Sequence, residues 1–254
     1  MSHPDPSPSE GASAGPATRL VLGLQPTREA IRVHQGALGR VLIDDRRLPR
    51  LDALARYAAA QGVKRIDRVR ASELDRLARG ASHQGVACYA PELRLTPLSA
   101  VLGRDPLLVL ALDGVQDPQN FGAIVRSAVA IAQAPVLWPE SSSAPLTPAT
   151  FRASAGAIEH AELIRVPSLL SALHAAVEAG CDVVGLEAGA QQTLEELPLG
   201  SKRVLVMGSE HEGLGRAIRK ACTHTAQLLR PHAIDSLNVS VAAGIALFQA
   251  RPKP

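Results

Sequence analysis

The sequence predicts an α/β protein of two domains, a smaller one followed by a larger one built on a parallel sheet. Helical and strand-like patterns alternate along the chain, which is typical of this class. A continuous apolar run at residues 107–112 suits a parallel strand covered on both faces. Residues 92–105 contain proline and glycine and resemble a linker with one helical turn. We therefore expect a first domain over residues 18–91 and a second over residues 106–254.

The first domain is preceded by 17 residues that consist almost wholly of Pro, Ser, Gly, Ala and acids. This composition buries too little apolar surface to offset the entropy lost on ordering, so we expect a disordered tail at 1–17. Beyond it, short apolar runs alternate with amphipathic stretches, with Gly and Asp between them. The predicted elements are a helix at 26–35, a strand at 41–45, a helix at 51–62, a strand at 63–69, a helix at 71–80 and a strand at 85–91.

The second domain shows the same alternation, which predicts a parallel sheet with helices on both faces. Its strands are predicted at 107–115, 135–138, 162–166, 182–188, 203–209 and 226–230. Its helices are predicted at 120–133, around 151–158, and at 168–180, 214–223 and 237–250. The last helix has no polar face, so we expect it to be buried inside the domain or against a partner subunit.

Charge is distributed unevenly between the two domains. Residues 18–104 hold sixteen Lys and Arg against eight Asp and Glu, a net charge of +8, whereas residues 105–254 carry −3 and the whole chain carries +3. Fifteen of the sixteen cations are arginines, whose planar fork suits phosphate groups. A basic domain joined to a mildly acidic one is typical of a polyanion-binding module on a catalytic module. The alternative is an arginine-rich solvated surface from a GC-rich genome.

Several classes of protein are disfavoured by composition. Aromatic residues make up 2% of the chain, which argues against a row of base-stacking rings. The three cysteines, Cys88, Cys181 and Cys222, lie too far apart for a Cys-x-x-Cys site and are odd in number, which favours a reducing, cytoplasmic compartment and no metal site. No apolar run approaches the roughly 18 residues of a membrane span, and no signal peptide is recognisable, so we expect neither export nor membrane insertion.

Three loops that follow predicted strands are the first places to seek a site, because ligands of parallel sheets bind beyond the carboxyl ends of strands. In the first, residues 113–128, Asn120 is able to cap the following helix or to bind a ligand, and Gly122 permits a close approach. Arg126 lies about 1.7 helical turns beyond Asn120, either as a surface cation or converging on the same site.

The second loop, residues 206–215, is glycine-rich but lacks the Lys and Ser or Thr of a phosphate loop and the Gly-x-Gly-x-x-Gly of a dinucleotide site. Its acids Glu210 and Glu212 suit a neutral or cationic ligand, and a plain connection explains it equally well. The third loop, residues 230–244, begins the apolar helix, and Ser236 or an Asp is the expected cap. Asn238 stands among apolar neighbours, where a buried amide requires partners.

Together these segments resemble the motifs of the SPOUT-class, SpoU-type RNA ribose 2'-O-methyltransferases. In this order and at these separations the three are strongly specific, and the similarity covers roughly residues 105–250. The first domain, with His-Gln-Gly-Val-Ala at 83–87, is similar to the ribosomal-protein-like substrate-binding domain of many members. The matching residues are Asn120, Gly122 and Arg126 (Asn-x-Gly-x-x-x-Arg), Gly208, Glu210 and Gly213 (Gly-x-Glu-x-x-Gly), and 236–242 (Ser-Leu-Asn-Val-Ser-Val-Ala).

The resemblance implies a C-terminal trefoil knot that holds S-adenosylmethionine, and a homodimer with the active site near the subunit interface. It implies that the cofactor contacts Gly208, Leu228, Leu237 and Asn238. It implies a catalytic neighbourhood formed by Asn120, Arg126, Glu210, Ser236 and Asn238. Methyl transfer from a sulfonium to a ribose hydroxyl needs alignment above all, and only RNA offers the 2'-hydroxyl.

In this interpretation Arg126 lowers the pKa of the 2'-hydroxyl electrostatically, Asn120 and Ser236 position Arg126 and the ribose, and Glu210 orients its loop. The sequence departs from the family at 228–232, where Leu-Leu-Arg-Pro-His replaces Ile-Pro-Met and a small stretch that lines the adenine pocket. We expect an RNA methyltransferase acting on ribosomal RNA, with transfer RNA second. The alternative is a non-catalytic RNA-binding or ribosome-assembly protein on the same fold, and the missing dinucleotide motif disfavours a nicotinamide-dependent oxidoreductase.

Overall fold

The structure, a computed structural model, describes residues 18–141, 146–210, 212–228 and 237–252. Its first sheet contains four strands, β1 (Thr18–Leu22), β2 (Arg40–Asp44), β3 (Ile66–Val69) and β4 (Val86–Pro91). Their order in the sheet is β1-β4-β2-β3; β4 runs antiparallel to both neighbours, and β2 and β3 are parallel. The helices of this part are α1 (Leu24–His34), α2 (Pro49–Ala60) and α3 (Ala71–Ala78).

Strand β1 has no counterpart among the predicted elements. Its five residues follow directly on the proline- and alanine-rich tail. It is held by antiparallel pairing with β4, from Thr18 opposite Pro91 to Leu22 opposite Ala87. A pairing between segments so far apart in the chain leaves no local pattern, so reading periodicity alone misses it.

The second sheet is parallel throughout, and this confirms the fold class expected from the sequence. Its strands are β5 (Leu107–Leu112), β6 (Val136–Pro139), β7 (Leu163–Val166), β8 (Asp182–Leu186), β9 (Lys202–Met207) and β10 (His224–Ala226). Their order is β10-β8-β9-β5-β6-β7. The accompanying helices are α4 (Leu98–Leu102) before the sheet, then α5 (Pro118–Ala132), α6 (Pro148–Ala153), α7 (Leu169–Glu178), α8 (Arg216–Ala221) and α9 (Val239–Ala250).

Helices cover this sheet on both faces, as the buried apolar strand predicts. All six residues of β5 are buried, and their side chains alternate between two cores. One core includes α5 and α9, with Phe121 packed edge-on against Trp138 at 5.3 Å between ring centroids. The other includes α4, α7 and α8. The knot implied by the resemblance stays a prediction, because the connection from β10 to α9 at 229–236 lies outside the described residues.

Helix α9 is only half buried within this chain, so burial inside the domain accounts for one side of it, and burial of the other side against a partner subunit stays a prediction. One side, with Ala243, Ala246 and Leu247, packs into the core, whereas Val241 and Phe248 on the other side are exposed. Packing into the core explains the apolar residues on one side of α9. It does not explain those on the other side, which this chain leaves exposed.

Candidate active site

The candidate site lies where β5 and β9 end. These strands are parallel neighbours, with Leu112 opposite Met207, so the loops that follow them lie side by side. Asp113, the first residue after β5, accepts a hydrogen bond at Oδ2 from the N–H of Gly215 at 2.8 Å. The contact ties the loop after β5 to the glycine-rich loop 208–215 after β9.

Asp117, not Asn120, is the N-cap of α5. Its carboxylate accepts hydrogen bonds from the backbone N–H groups of Gln119 at 3.1 Å and Asn120 at 3.2 Å, and Pro118 occupies the first helical position. The expectation of Asn120 as the cap is therefore wrong. Because Asp117 fulfils that role, the side chain of Asn120 is available for other partners.

Asn120, Glu210 and Asn238 form one hydrogen-bonded cluster, although they come from three separate loops. Glu210 Oε1 accepts bonds from Asn120 Nδ2 at 3.2 Å, Asn238 Nδ2 at 2.7 Å and the N–H of Val239 at 3.2 Å. Asn238 Nδ2 also donates to Asn120 Oδ1 at 3.0 Å. The structure thus brings together one residue from each of the three motifs.

Asn238 is itself the N-cap of α9, and it is exposed. Its Oδ1 accepts bonds from the N–H of Ser240 at 3.0 Å and of Val241 at 3.4 Å. The expectation of an amide buried within the first helical turn is therefore wrong, because α9 begins at Val239 and not at the predicted residue 237. The same side chain uses its oxygen to cap the helix and its nitrogen to bind Glu210, which fixes the start of α9 against the cluster.

Glycines in the motifs are explained by close packing. A Cβ on Gly208 would lie 2.1 Å from the carbonyl carbon of Gly213, because Ser209 and Gly213 exchange two backbone hydrogen bonds of 3.1 Å. A Cβ on Gly122 would lie 2.5 Å from the carbonyl oxygen of Thr150, where α5 meets α6. Gly122 thus permits helix-to-helix contact, and Gly208 closes the loop that carries Glu210.

The remaining predicted site residues lie outside this cluster. Arg126 is on the exposed face of α5 and makes no hydrogen bond or ion pair with any described residue. Leu228 is half-buried against the core, and Leu237 is 43% exposed just before α9. Ser236, like the atypical segment from 229 to 232, falls outside the described residues. The structure therefore places Arg126 near the site only through its position on α5.

A cavity of about 500 Å³ opens beside the cluster, within the usual range for small-molecule sites. Four carboxylates line it, those of Asp113, Asp117, Glu210 and Glu212. No lysine or arginine is among its lining residues in the described part of the chain, so the cavity favours a cationic ligand and disfavours phosphate. Asp113 is a further candidate site residue that the three motifs do not include. An acidic residue directly after a buried strand is the sequence feature that indicates it.

Other reactive groups are unsuited to chemistry at neutral pH. Burial raises the pKa of the Cys88 thiol to about 12 and that of Cys222 to about 11, so both thiols stay protonated. Within the described ranges, no cluster of His, Cys, Asp and Glu is arranged to hold a metal ion. Every helix in those same ranges is too short or too polar to cross a membrane.

The fold and the site define a class of two-domain α/β proteins, in which an amide–carboxylate cluster lies at adjacent strand ends of a parallel sheet. The sequence profile of the SpoU rRNA Methylase family matches residues 107–248. A second profile, described as RNA 2'-O ribose methyltransferase substrate binding, matches residues 20–96. The chain belongs to the SpoU rRNA Methylase family, as the three motifs indicate.

Individual relatives agree with this assignment. A protein from Mycobacterium avium (strain 104), named as an uncharacterized tRNA/rRNA methyltransferase, is 40% identical over 152 residues, which are 60% of this chain and 49% of that protein. A second relative, from Mycolicibacterium smegmatis, is 41% identical over 144 residues, 57% of this chain and 46% of that protein. The chain thus spans about half the length of the curated relatives it matches.

Among solved structures, the SpoU methyltransferase AviRb from Streptomyces viridochromogenes in complex with AdoMet superposes with a TM-score of 0.76 at 23% identity. That match covers 92% of this chain and 89% of the other. An rRNA methyltransferase from Sinorhizobium meliloti gives a TM-score of 0.75 at 24% identity, over 92% and 86% of the two chains. At this level of identity the similarity shows a shared fold.

Proposed function

We propose that this protein transfers a methyl group from S-adenosylmethionine to a ribose 2'-hydroxyl in structured RNA, with ribosomal RNA the first candidate and transfer RNA the second. The observation that carries the proposal is the cluster of Asn120, Glu210 and Asn238, which unites the three family motifs at one edge of the sheet. The profile matched by the first domain supports ribose as the methylated group. The names of relatives and fold neighbours support ribosomal and transfer RNA.

The acidic cavity beside the cluster fits the proposed cofactor. S-adenosylmethionine carries a sulfonium and an ammonium group, and four carboxylates line the cavity. The four residues that the resemblance assigns to the cofactor, Gly208, Leu228, Leu237 and Asn238, are not among those that line the cavity, but Gly208 and Asn238 directly precede the lining residues Ser209 and Val239. We propose that all four border the bound cofactor, with Leu228 and Leu237 on either side of segment 229–236. When bound, this cofactor supplies a methyl group that is activated by positive charge on sulfur.

The protein's own residues would align the acceptor. Glu210 binds both amides, so Asn120 and Asn238 are held with fixed orientations at the cavity edge. In a displacement between two positioned groups, such alignment supplies much of the rate enhancement. The carboxylates also keep RNA phosphates away from the cavity, so that a ribose hydroxyl enters ahead of the charged backbone.

Arg126 would act by stabilising negative charge on the 2'-oxygen while the hydroxyl proton passes to water, the O–C bond forms and the S–C bond breaks, since an arginine is ordinarily not deprotonated. Within one protomer it makes no bond to the cluster. Its neighbour Ser127 packs against Gly244 of α9, with 3.8 Å between Ser127 Oγ and an ideal Cβ on that glycine. Helix α5, which carries Arg126, thus packs against the helix whose outer face is uncovered, and we propose that Arg126 completes the site at a subunit interface.

The outer face of α9 supports a homodimer. Leu237, Val241 and Phe248 are 43%, 51% and 60% exposed; Val241 and Phe248 share one side of α9, and Leu237 lies just before its N-cap. An apolar stripe of this kind is typical of a protein interface, and two-fold dimers are the commonest soluble assemblies. The stripe begins next to Asn238, so a partner docked there would border the candidate site.

Mixed dimers test the role of Arg126. Asn120→Ala and Arg126→Ala variants, each inactive alone, would be coexpressed and purified together. If each site combines Asn120 from one protomer with Arg126 from its partner, about a quarter of wild-type activity returns, because half of random dimers are mixed and each has one intact site. Failure of the mixture to recover activity would show that Arg126 serves its own protomer's site.

The main experiment is methylation mapping. The full chain is incubated with labelled S-adenosylmethionine and with ribosomal or transfer RNA from cells in which its gene is deleted, and the nucleosides are identified by mass spectrometry. We expect a single 2'-O-methylated nucleoside, absent with Asn120→Ala. A methyl group on a base would overturn the ribose assignment, and no mark on either RNA from a protein that binds the cofactor would overturn the activity.

Calorimetric titration separates the enzyme from the non-catalytic alternative. Saturable binding of S-adenosylmethionine that is lost in Asn238→Ala supports the enzyme. RNA binding without any cofactor binding supports a ribosome-assembly protein on the same fold.

A further inference from the structure

A buried ionic cluster joins the two domains at a distance from the candidate active site. Glu159 lies in a short 3-10 turn after α6 (Ala157–Glu159), and its side chain is 1% exposed. Glu159 Oε2 accepts hydrogen bonds from Arg19 Nη2 of β1 and pairs with His34 Nε2 of α1 at 2.9 Å. The carboxylate belongs to the second domain, and both of its partners belong to the first.

Further contacts surround this cluster. His160 Nε2 lies 2.9 Å from Glu29 Oε2 of α1. Gly156 adopts φ of +86°, and a Cβ there would lie 2.8 Å from the Cβ of Glu29. The Arg19 guanidinium stacks over the ring of Phe151 in α6, 4.9 Å from its centroid. Strand β1 and helix α1 thus meet α6 and the following turn through ionic, steric and aromatic contacts together.

The linker is also attached to the second sheet. The N–H of Thr96 donates a hydrogen bond to the carbonyl of Leu163 at 2.8 Å, and Leu95 forms a parallel bridge with the same residue at the edge strand β7. The chain between the domains is therefore not a free tether, and the orientation of one domain on the other is defined from two sides.

The chemistry of the cluster favours a geometric role over a purely stabilising one. Burying a carboxylate and a guanidinium costs solvation energy that their attraction offsets only in part. Arg19 Nη1 and Glu159 Oε1 are buried without a hydrogen-bond partner among the described residues, so the offset is incomplete. A well-packed apolar contact would join the domains at lower cost, whereas directional bonds to one carboxylate oxygen specify a single orientation.

The ionic cluster at Glu159 is connected to the candidate site through packed helices. Helix α6 packs directly on α5, where Gly122 allows the carbonyl of Thr150 to approach its Cα closely. Two residues before Gly122, Asn120 enters the cluster with Glu210. Helix α5 contacts both α6 and the turn that carries Glu159, so the path from Glu159 to the methyl-transfer site runs through packed elements.

We propose that Glu159, Arg19 and His34 are positioning residues that hold the basic first domain at a fixed place relative to the methyl-transfer site. When the first domain binds RNA, its fixed separation from Asn120 determines which nucleotide reaches the site. The interdomain cluster thereby helps to select the nucleotide that is methylated. That the selected substrate is RNA rests on the proposed function. That the domains have a fixed orientation rests on the contacts of the ionic cluster alone.

Domain geometry is tested first and needs no RNA. Glu159→Gln keeps the size of the side chain and removes its charge, and a matched control, Asp67→Asn, removes an ion pair with Arg40 inside the first sheet. Measurements are small-angle scattering and the rate of proteolysis in the linker. We expect Glu159→Gln to increase the radius of gyration and to raise linker cleavage about tenfold, the effect of one lost charged hydrogen bond, with Asp67→Asn unchanged.

Site selection is tested second, on the RNA that the wild-type protein methylates. We expect Glu159→Gln to raise KM for RNA about tenfold, with kcat and cofactor affinity unchanged, and to add methyl groups at neighbouring nucleotides. Glu29→Gln, which breaks the more exposed pair with His160, should show the same changes to a smaller extent, and it substitutes for Glu159→Gln if that variant fails to fold.

Two results would overturn the proposal. One is unchanged scattering and linker cleavage in Glu159→Gln and Glu29→Gln. The other is a loosened interface with wild-type KM and a single methylated nucleotide, which would show that docking has no part in selection. If the wild-type protein methylates no RNA, the proposed function fails, while the scattering and cleavage results still decide whether the cluster fixes the domains.

Discussion

Two carboxylates, Glu159 and Glu210, each accept several hydrogen bonds across distant parts of the chain, yet their partners differ in kind. Glu159 is almost fully buried and is bound by a guanidinium and an imidazole. Glu210 faces a cavity and is bound by two side-chain amides and one backbone N–H. The first set of partners includes a full positive charge, and the second set contains only neutral donors.

The same type of side chain serves structure at Glu159 and chemistry at Glu210, depending on the charge of its partners. Neutral donors orient Glu210 without cancelling its charge, so that negative potential extends into the cavity, where Asp113, Asp117 and Glu212 add to it. An arginine partner cancels most of the charge of Glu159 and leaves a directional joint between domains. Changing one carboxylate at a time should therefore separate catalysis from domain geometry.

The largest effect is expected from Glu210→Gln. Substitution removes the charge: the one oxygen of glutamine is still able to accept from both amides, but the hydrogen bonds to it lose the contribution of a charged acceptor. Hydrogen bonds to a charged group contribute about 1.5–3 kcal/mol, so we expect kcat for methyl transfer to fall by about tenfold to a hundredfold. Single-turnover kinetics with RNA at saturation measure this change.

A matched control distinguishes the loss of the cluster from a general effect of charge. Glu178→Gln removes an exposed glutamate at the end of α7 and should leave kcat at its wild-type value. Equal rates for Glu210→Gln and the wild-type protein would show that the charge of Glu210, which its neutral donors leave intact, does not contribute to catalysis. In that case the comparison with Glu159 would have no functional meaning.

An intermediate effect is expected from Gly122→Ala. This substitution changes the contact between α5 and α6, which lies between Glu159 and Glu210. The added methyl would lie 2.5 Å from the Thr150 carbonyl oxygen and 2.6 Å from Ala153 Cβ. Overpacking of this kind costs about 1–3 kcal/mol, which outweighs the helix propensity gained over glycine. We expect Tm to fall by several degrees, as measured by calorimetry.

Gly244→Ala is the matched comparison for this variant, because the glycine lies in α9 with its nearest neighbour 3.8 Å from the added carbon. There we expect a Tm that is unchanged or slightly higher, since alanine favours the helix. If both variants lost equal stability, the close contact between α5 and α6 would not be the cause.

Sequence patterns predicted the alternating elements, the parallel second sheet and the three loops that meet. Local periodicity records which residues face a core, and the buried run of β5 is the clearest example. Motif spacing identified Asn120, Glu210 and Asn238 before their contacts were known. These residues are recognisable because each follows a strand or begins a helix, where side chains of one sheet edge converge.

Long-range contacts explain what sequence patterns did not predict. Strand β1 and the domain joint at Glu159 depend on partners more than sixty residues away, and nothing in the local pattern around Glu159 indicates Arg19 or His34. The cap of α5 lies three residues before the expected Asn120, because Asp and Asn are both favourable cap residues and only the geometry selects Asp117.

The smallest effect is expected from acid titration of the joint at Glu159. Burial by itself would raise the pKa of this carboxyl, but hydrogen bonds from His34 and Arg19 outweigh burial and hold the pKa below its usual value of 4.5. The groups that face it are Arg19 on β1, His34 on α1 and the thiol of Cys88 on β4.

Because the pKa is lowered by folding, the unfolded chain binds a proton more readily than the folded one. Glu159 therefore stabilises the protein above pH 4.5, and this contribution disappears as the pH falls through the lower folded-state pKa. Gln cannot ionise, so Glu159→Gln should be less stable than the wild-type protein at pH 7 and approach it below pH 4.5. We expect the gap in Tm to narrow by about 2 °C between these conditions. An equal difference in Tm between the two proteins at both pH values would show that the charge of Glu159 does not stabilise the contact between the domains. Glu159 and Glu210 would then differ only in the geometry of their hydrogen bonds.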